Sequence, residues 1–181
     1  MLMAYERYVA INTLSEISKK DYENSKRFVL NVLNDLKDWE TVDALALRVF
    51  VNLAKQNKKE TFQLLKKWAS SKNKWVRRLA MTTIAPYIRA KSNEAKLCLE
   101  IVKKLMQKDK DVRKAIAWAL REISKKDPKA TYEFLQRYAS SEDANTRWVV
   151  RKGPKKLPEI LKEKLNYIIK PFSTFHFLSS P

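Results

Sequence analysis

Glycine, cysteine and histidine each occur once in these 181 residues, as Gly153, Cys98 and His176. One glycine excludes the phosphate-cradling loop G-x-x-x-x-G-K-[ST] and the dinucleotide fingerprint, which need several. It also excludes the glycine-rich tight turns of ordinary β-sandwiches and barrels. One cysteine and one histidine leave no disulfide framework, no Cys/His zinc site and no Ser-His-Asp triad that draws on a second histidine. No stretch approaches the roughly 18 consecutive apolar residues of a membrane span. The opening Met1-Leu-Met-Ala-Tyr-Glu-Arg7 lacks the basic and apolar regions of a signal peptide. Acidic residues are scarce beside basic ones, 20 against 38, for a formal charge of +18. That excess favours a polyanionic partner, nucleic acid or an anionic membrane surface. The plain alternative is a solvated lysine-rich surface.

Apolar residues, 45% of the chain, are numerous enough for a core. They recur at helical spacing almost throughout, and no segment alternates like a strand. The pattern predicts helices over 3–18, 22–37, 39–56, 58–70, 73–89, 92–108, 110–125, 127–140, 142–156 and 159–170, separated by short polar clusters. Asp127 before Pro128 reads as an N-cap followed by proline at the first helical position. Trp75-Val-Arg-Arg-Leu-Ala80, Asp111-Val-Arg-Lys-Ala-Ile116 and Asn145-Thr-Arg-Trp-Val-Val150 each follow a polar turn and open a helix. Arg77, Arg113 and Arg147 lie 36 and 34 residues apart, and a step of 34 back from Val76 reaches Val42. A period in the mid-thirties with two helices per unit resembles HEAT-type repeats. The expected fold is therefore all-α, a right-handed α-solenoid of HEAT-like helical repeats with a concave basic face. Residues 1–170 form one domain, and 171–181 form a tail.

Helix faces separate packing from function. In 110–125 the stripe Val112, Ala115, Ile116, Ala119, Leu120, Ile123 packs, and Lys114, Trp118 and Arg121 lie opposite at i, i+4 and i+7. In 73–89, Val76, Leu79, Ala80, Thr83, Ile84 and Tyr87 pack, while Trp75, Arg78 and Thr82 point elsewhere. The Trp-x-x-Arg spacing recurs at Trp148 and Arg151. Trp39 and Asp43 lie one turn apart at the margin of helix 39–56. Each has an ordinary structural reading. Trp68 and Trp75 suit covers for joints between repeats, and Asp43 alone suits a helix-dipole complement. The arginines suit solvated or inter-repeat contacts. Arginine planes beside exposed tryptophans in so basic a chain also suit phosphate and sugar contacts.

The segments Trp39-Glu-Thr-Val-Asp43, Lys74-Trp-Val-Arg-Arg78 and Arg113-Lys-Ala-Ile-Ala-Trp-Ala-Leu-Arg-Glu122, followed by Ser124-Lys-Lys-Asp-Pro128, resemble the AlkD-type DNA alkylation repair proteins. Those are glycosylases of HEAT-like repeats, and the resemblance runs over most of 5–155. Carried over by position, it implies a catalytic aspartate at Asp43. It implies sugar- and base-facing tryptophans at Trp39 and Trp118, and phosphate-facing arginines at Arg78 and Arg121. Two departures stand out. Asp38 occupies a place where a second tryptophan is common, and the extra helices that family members usually carry before the matching start are lacking.

The implied reaction is hydrolysis of the N-glycosidic bond of cationic N3- or N7-alkylated purines in duplex DNA, as by a DNA-3-methyladenine/7-methylguanine glycosylase. It needs no metal and no cofactor. The expected DNA contacts are Arg78, Arg121, Lys114, Arg77, Arg113, Arg147, Trp148, Arg151 and Lys152. The expected setting is cytoplasmic (nucleoid-associated in a prokaryote), not secreted, with a monomer on double-stranded DNA and no membrane. Two other classes stay open: a non-catalytic nucleic-acid-binding repeat module, and a protein-interaction scaffold.

Overall fold

A computed structural model describes residues 2–106 and 110–169; residues 107–109 and the predicted tail 171–181 lie outside the described residues. The chain is an all-α helical repeat, two helices to a unit. Helices α1 (Leu2–Ser18), α3 (Trp39–Leu45) continuing into α4 (Val51–Gln56), α6 (Lys74–Ala90), α8 (Lys110–Ser124) and α10 (Ala144–Lys152) pack side by side as one row. Helices α2 (Tyr22–Val32), α5 (Lys58–Trp68), α7 (Ala95–Lys103), α9 (Pro128–Gln136) and α11 (Glu159–Ile169) form the second row against it.

Neighbouring first-row helices run the same way. Near their starts Arg7 donates to Asp38 at 2.8 Å, Lys74 pairs with Asp111 at 2.7 Å, and Arg113 donates to Asn145 at 3.0 Å. Near their ends Gln56 donates to the Ser18 carbonyl and Arg89 pairs with Glu122 at 2.9 Å. All first-row starts therefore lie along one edge of the array and all first-row ends along the other.

Short polar side chains set the starts. Asp38, Asn73 and Asp143 accept the backbone N–H of Thr41, Trp75 and Thr146 in the first row. Asp21, Asn57 and Asp127 do the same for Asn24, Glu60 and Ala130 in the second. Each satisfies one of the donors that a helix start leaves unpaired. Asp127 with Pro128 behaves as the sequence predicts. The expected stripes form the core: Leu79, Ile84, Tyr87, Ile116 and Leu120 are buried, and Val42 and Val149 on the neighbouring helices are buried with them. Trp68 is buried as well, packing edge-on against Phe50 with ring centroids 4.8 Å apart. Both rings belong to residues 39–68, so this contact lies inside one two-helix unit rather than at the joint between repeats expected for Trp68.

The predicted helices over 22–37, 92–108, 127–140 and 142–156 are each shorter. The first ends at Val32 and tightens into a 3₁₀ turn at Leu33–Asp35, and the last ends at Lys152 before a 3₁₀ turn at Gly153–Lys156. Polar and proline residues at those places compete with the helical ladder. Helix 39–56 runs its full length but widens to i→i+5 bonding over Ala46–Phe50. α6 runs through Pro86, which has no N–H to donate to the Thr82 carbonyl one turn earlier. Among the described residues, no helix is long and apolar enough to cross a membrane.

Candidate functional site

Adjacent arginines on α6 have different work. Arg77 turns back on the preceding turn, donating from Nη1 to the carbonyls of Ser71 at 2.7 Å and Lys72 at 2.9 Å. Arg147, at the same place on α10, donates to the carbonyls of Ser141 and Glu142. These two share one geometry, a staple in which an arginine in the first turn of the helix holds the loop that leads into it. Arg113, at the same place on α8, instead donates to Asn145 on α10. Stepping the repeat back from Arg77 reaches Asp43. The staple position of that unit thus carries an acid, and its loop is held differently. Asp38 accepts from the backbone N–H and hydroxyl of Thr41 at 2.8 and 2.9 Å, and from Arg7. Cap and anchor together give a physical reason for aspartate, rather than a second indole, before Trp39.

Freed from the turn, Asp43 faces α6. Arg78 grips it with two bonds, Nε to Oδ1 at 2.9 Å and Nη2 to Oδ2 at 2.7 Å. The Thr82 hydroxyl donates to Oδ1 at 3.0 Å, and Arg78 Nη1 donates to the Asp111 carbonyl at 2.9 Å. Both charged side chains are largely shielded, 19% exposed for Asp43 and 12% for Arg78. A carboxylate offers about four acceptor positions. Three are taken, so one remains on Oδ2.

The surface beside this pair is a cleft of about 300 Å³ lined by Trp39, Trp75, Arg78, Lys110, Asp111 and Lys114. Trp39 is 55% exposed, unusual for an indole in a packed protein. Trp75 is half-buried against the core, with the Lys74 ammonium 4.7 Å from its ring centre. Lys74 also holds the Asp111 carboxyl below its ordinary pKa range by direct hydrogen bonding. The lining therefore combines two indoles with three cations and one already paired acid.

Trp118 lies one turn beyond Lys114 and is not among the residues lining this cleft. The Arg89 guanidinium sits 5.6 Å from its ring centre, and Arg89 Nε donates to Glu122 at 2.9 Å. Glu122 is buried and also accepts from Lys125 at 2.9 Å. The Arg89 hydrogen bond, aided by Lys125 and opposed by burial, pulls its carboxyl down to about 2. Arg113 lies 4.8 Å from the Trp148 ring centre, an inter-helix contact between α8 and α10. The side chains of Lys114, Arg121, Arg151 and Lys152 make no hydrogen bond or ion pair among the described residues.

The structure thus brings Arg78, Trp39 and Lys114 into one cleft, holds Asp43 behind it on Arg78 without placing it among the lining residues, and leaves Trp118 with Arg89. Arg78, expected on phosphate, is bonded to the acid. Thr82 is a correction. The face pattern sets it away from the core, yet it is fully buried and hydrogen-bonded to Asp43. Its position one turn after Arg78 was the available signal. Lys110 and Asp111 were also missed, because each reads as a helix-start residue.

Residues 5–157 match the sequence profile described as DNA alkylation repair enzyme. Comparison with curated proteins and with solved structures gives no match.

Proposed function

The chain belongs to the DNA alkylation repair enzyme family, and from that premise we propose that it releases cationic N3- or N7-alkylated purines from duplex DNA by hydrolysing the N-glycosidic bond. Most glycosidases need two carboxylates, one of them an acid that protonates the leaving group. An alkylpurine already carries its positive charge and leaves as a neutral base, so one carboxylate suffices. Asp43 is that carboxylate. Its charge stabilises the oxocarbenium-like sugar, and the open position on Oδ2 orients water. Arg78 and Thr82 hold it so that little reorganisation is needed as charge develops. Trp39 offers its face to the cationic sugar, and Trp118 acts farther along α8. Lys114, Arg121, Arg151 and Lys152 supply phosphate contacts. Arg77, Arg113, Arg147 and Trp148 support the surface chiefly through turn and inter-helix contacts. The scheme uses no metal and no cofactor, and one chain is sufficient for it.

The observation that carries this reading is the acid at the staple position, turned instead to Arg78 beside an aromatic, cationic cleft. A repeat that gives up its turn-holding arginine needs a use for the replacement.

The test is incubation with duplex DNA bearing 7-methylguanine or 3-methyladenine, scoring free base and alkali-labile abasic sites. Asp43→Asn is expected to lower release by about 100-fold or more while duplex binding persists. Undiminished release by the variant would remove Asp43 from the reaction. The second reading is a nucleic-acid-binding module without turnover. The bidentate Arg78 grip, which leaves Asp43 little free charge, favours it. Absence of release by the wild-type protein at high concentration would select it.

A further inference from the structure

Another charged feature lies away from the cleft, on the edge where first-row helices end. Lys20, Lys55, Lys91 and Lys126 follow one another at steps of 35, 36 and 35 residues, and Lys155 stands in the next turn of that edge. All five are exposed, and none has an ion-pair partner among the described residues. Because the first-row helices run the same way, these lysines form a line with about one per repeat.

Helix dipoles account for a cation at each helix end. Second-row helices obey that rule too, ending in Lys66-Lys67 and Lys103 at the opposite edge. What differs is the acids. In the turns of the lysine edge, Asp21 and Asp127 are spent as caps, and the glutamates are held in ion pairs. At the opposite edge Asp35, Glu40 and Glu142 are exposed without an ion pair. Among the described residues, the exposed lysines of this edge therefore have no acid beside them that is not already a helix cap or ion-paired, whereas Lys37, Lys66, Lys67, Lys72, Lys103 and Lys104 share the opposite edge with unpaired Asp35, Glu40 and Glu142.

We propose that this edge is a track for the phosphate backbone of duplex DNA, separate from the cleft and independent of base sequence. Packed helices lie about 8–10 Å apart, so five successive turns span about one helical repeat of B-DNA, roughly 34–36 Å. Five lysines neutralising five phosphates displace counterions, and each contributes about 0.9 to the slope of log affinity against log salt.

The experiment uses the full chain with Lys20, Lys55, Lys91, Lys126 and Lys155 all changed to Gln, and undamaged duplex DNA titrated across salt concentration. A matched control carries Lys37, Lys66, Lys67, Lys72 and Lys104 changed to Gln, with the same net charge. The edge variant is expected to lose about 4 from the salt slope and at least about 100-fold in affinity at low salt, and the control to lose far less. Equal losses by both variants would make this a net-charge effect and overturn the track. So would an unchanged slope in the edge variant, or edge-dependent binding to phosphatidylserine vesicles with duplex binding intact. Circular dichroism of both variants checks that these exposed changes leave the helices in place. Asp43→Asn is expected to keep the wild-type salt slope, so failure of the reaction and failure of the track are read separately.

Discussion

Glu122 offers a quantitative test of how first-row helices are held together. Its side chain is 7% exposed, and among the described residues its cationic partners are Arg89 and Lys125, themselves 50% and 43% exposed. Lowering a carboxyl from 4.5 to about 2 corresponds to a ceiling of about 3 kcal/mol of folding stability. Half-exposed partners are screened by water and salt, so about 1–2 kcal/mol is the expected contribution. The sign follows from the direction: a carboxyl depressed in the folded state stabilises fully above about pH 5. That contribution is lost as pH falls from the unfolded value toward 2. Urea unfolding of wild type and Glu122→Gln, followed by tryptophan fluorescence, isolates it from other carboxylates. The difference should be about 1–2 kcal/mol at pH 7, less than half of that at pH 3, and smaller in 1 M salt at either pH. Because Arg89 also lies over Trp118, the folded-state emission of the variant should differ from wild type. A stability difference that is the same at pH 7 and pH 3 would refute the electrostatic account and leave only packing.

Three further outcomes are expected. Thr82→Val should cost about 1 kcal/mol of unfolding free energy measured in urea, with base release reduced through a less firmly held Asp43; release equal to wild type would show that the hydroxyl is not needed for positioning. Gly153→Ala should destabilise by about 1 kcal/mol in thermal or urea unfolding. The backbone there is ordinary helix, so alanine is conformationally favourable, but its Cβ would sit 3.0–3.3 Å from buried Leu120 atoms; a gain in stability would show that Leu120 moves aside freely. Burial pushes the Cys98 thiol up to about 12, so a disulfide reagent at pH 8 should modify it only as fast as the chain unfolds, and rapid modification of the folded protein would contradict that burial.

The repeat could be read from the chain because both its causes are local. Apolar residues at helical spacing define the rows, and Asp, Asn or Asp-Pro marks the starts. Ends were less legible, since the short second-row helices stop where local polar residues compete with the ladder. The predicted helix 73–89 includes Pro86, and α6 does run through it, with Ala85 and Tyr87 buried on either side. At the site, Trp39, Asp43 and Arg78 stand out by face and by resemblance, but only Trp39 and Asp43 are expected side by side, and the bond from Arg78 to Asp43 takes the place of the phosphate contact expected of it. The division of labour between Arg77 and Arg78 was not visible, because consecutive residues on a helix point about 100° apart and only the neighbouring helix decides what each meets. The buried Thr82 bond depends on the same inter-helix register, which one strand of sequence does not encode locally. Trp118 shows the complementary case, a residue rightly placed off the core whose observed partner is Arg89.

The aspartate at the staple position also bears on how such an array tolerates rearrangement. Units of a helical repeat are in principle exchangeable, since each contacts only its neighbours. Here one unit has lost that freedom: moving residues 39–68 to another place would part Asp43 from Arg78 and Thr82. It would also set an acid beside a loop that has no Arg7 to hold it. Shuffling or duplicating the other units should be far better tolerated, so this unit fixes the order in which the rest can be assembled.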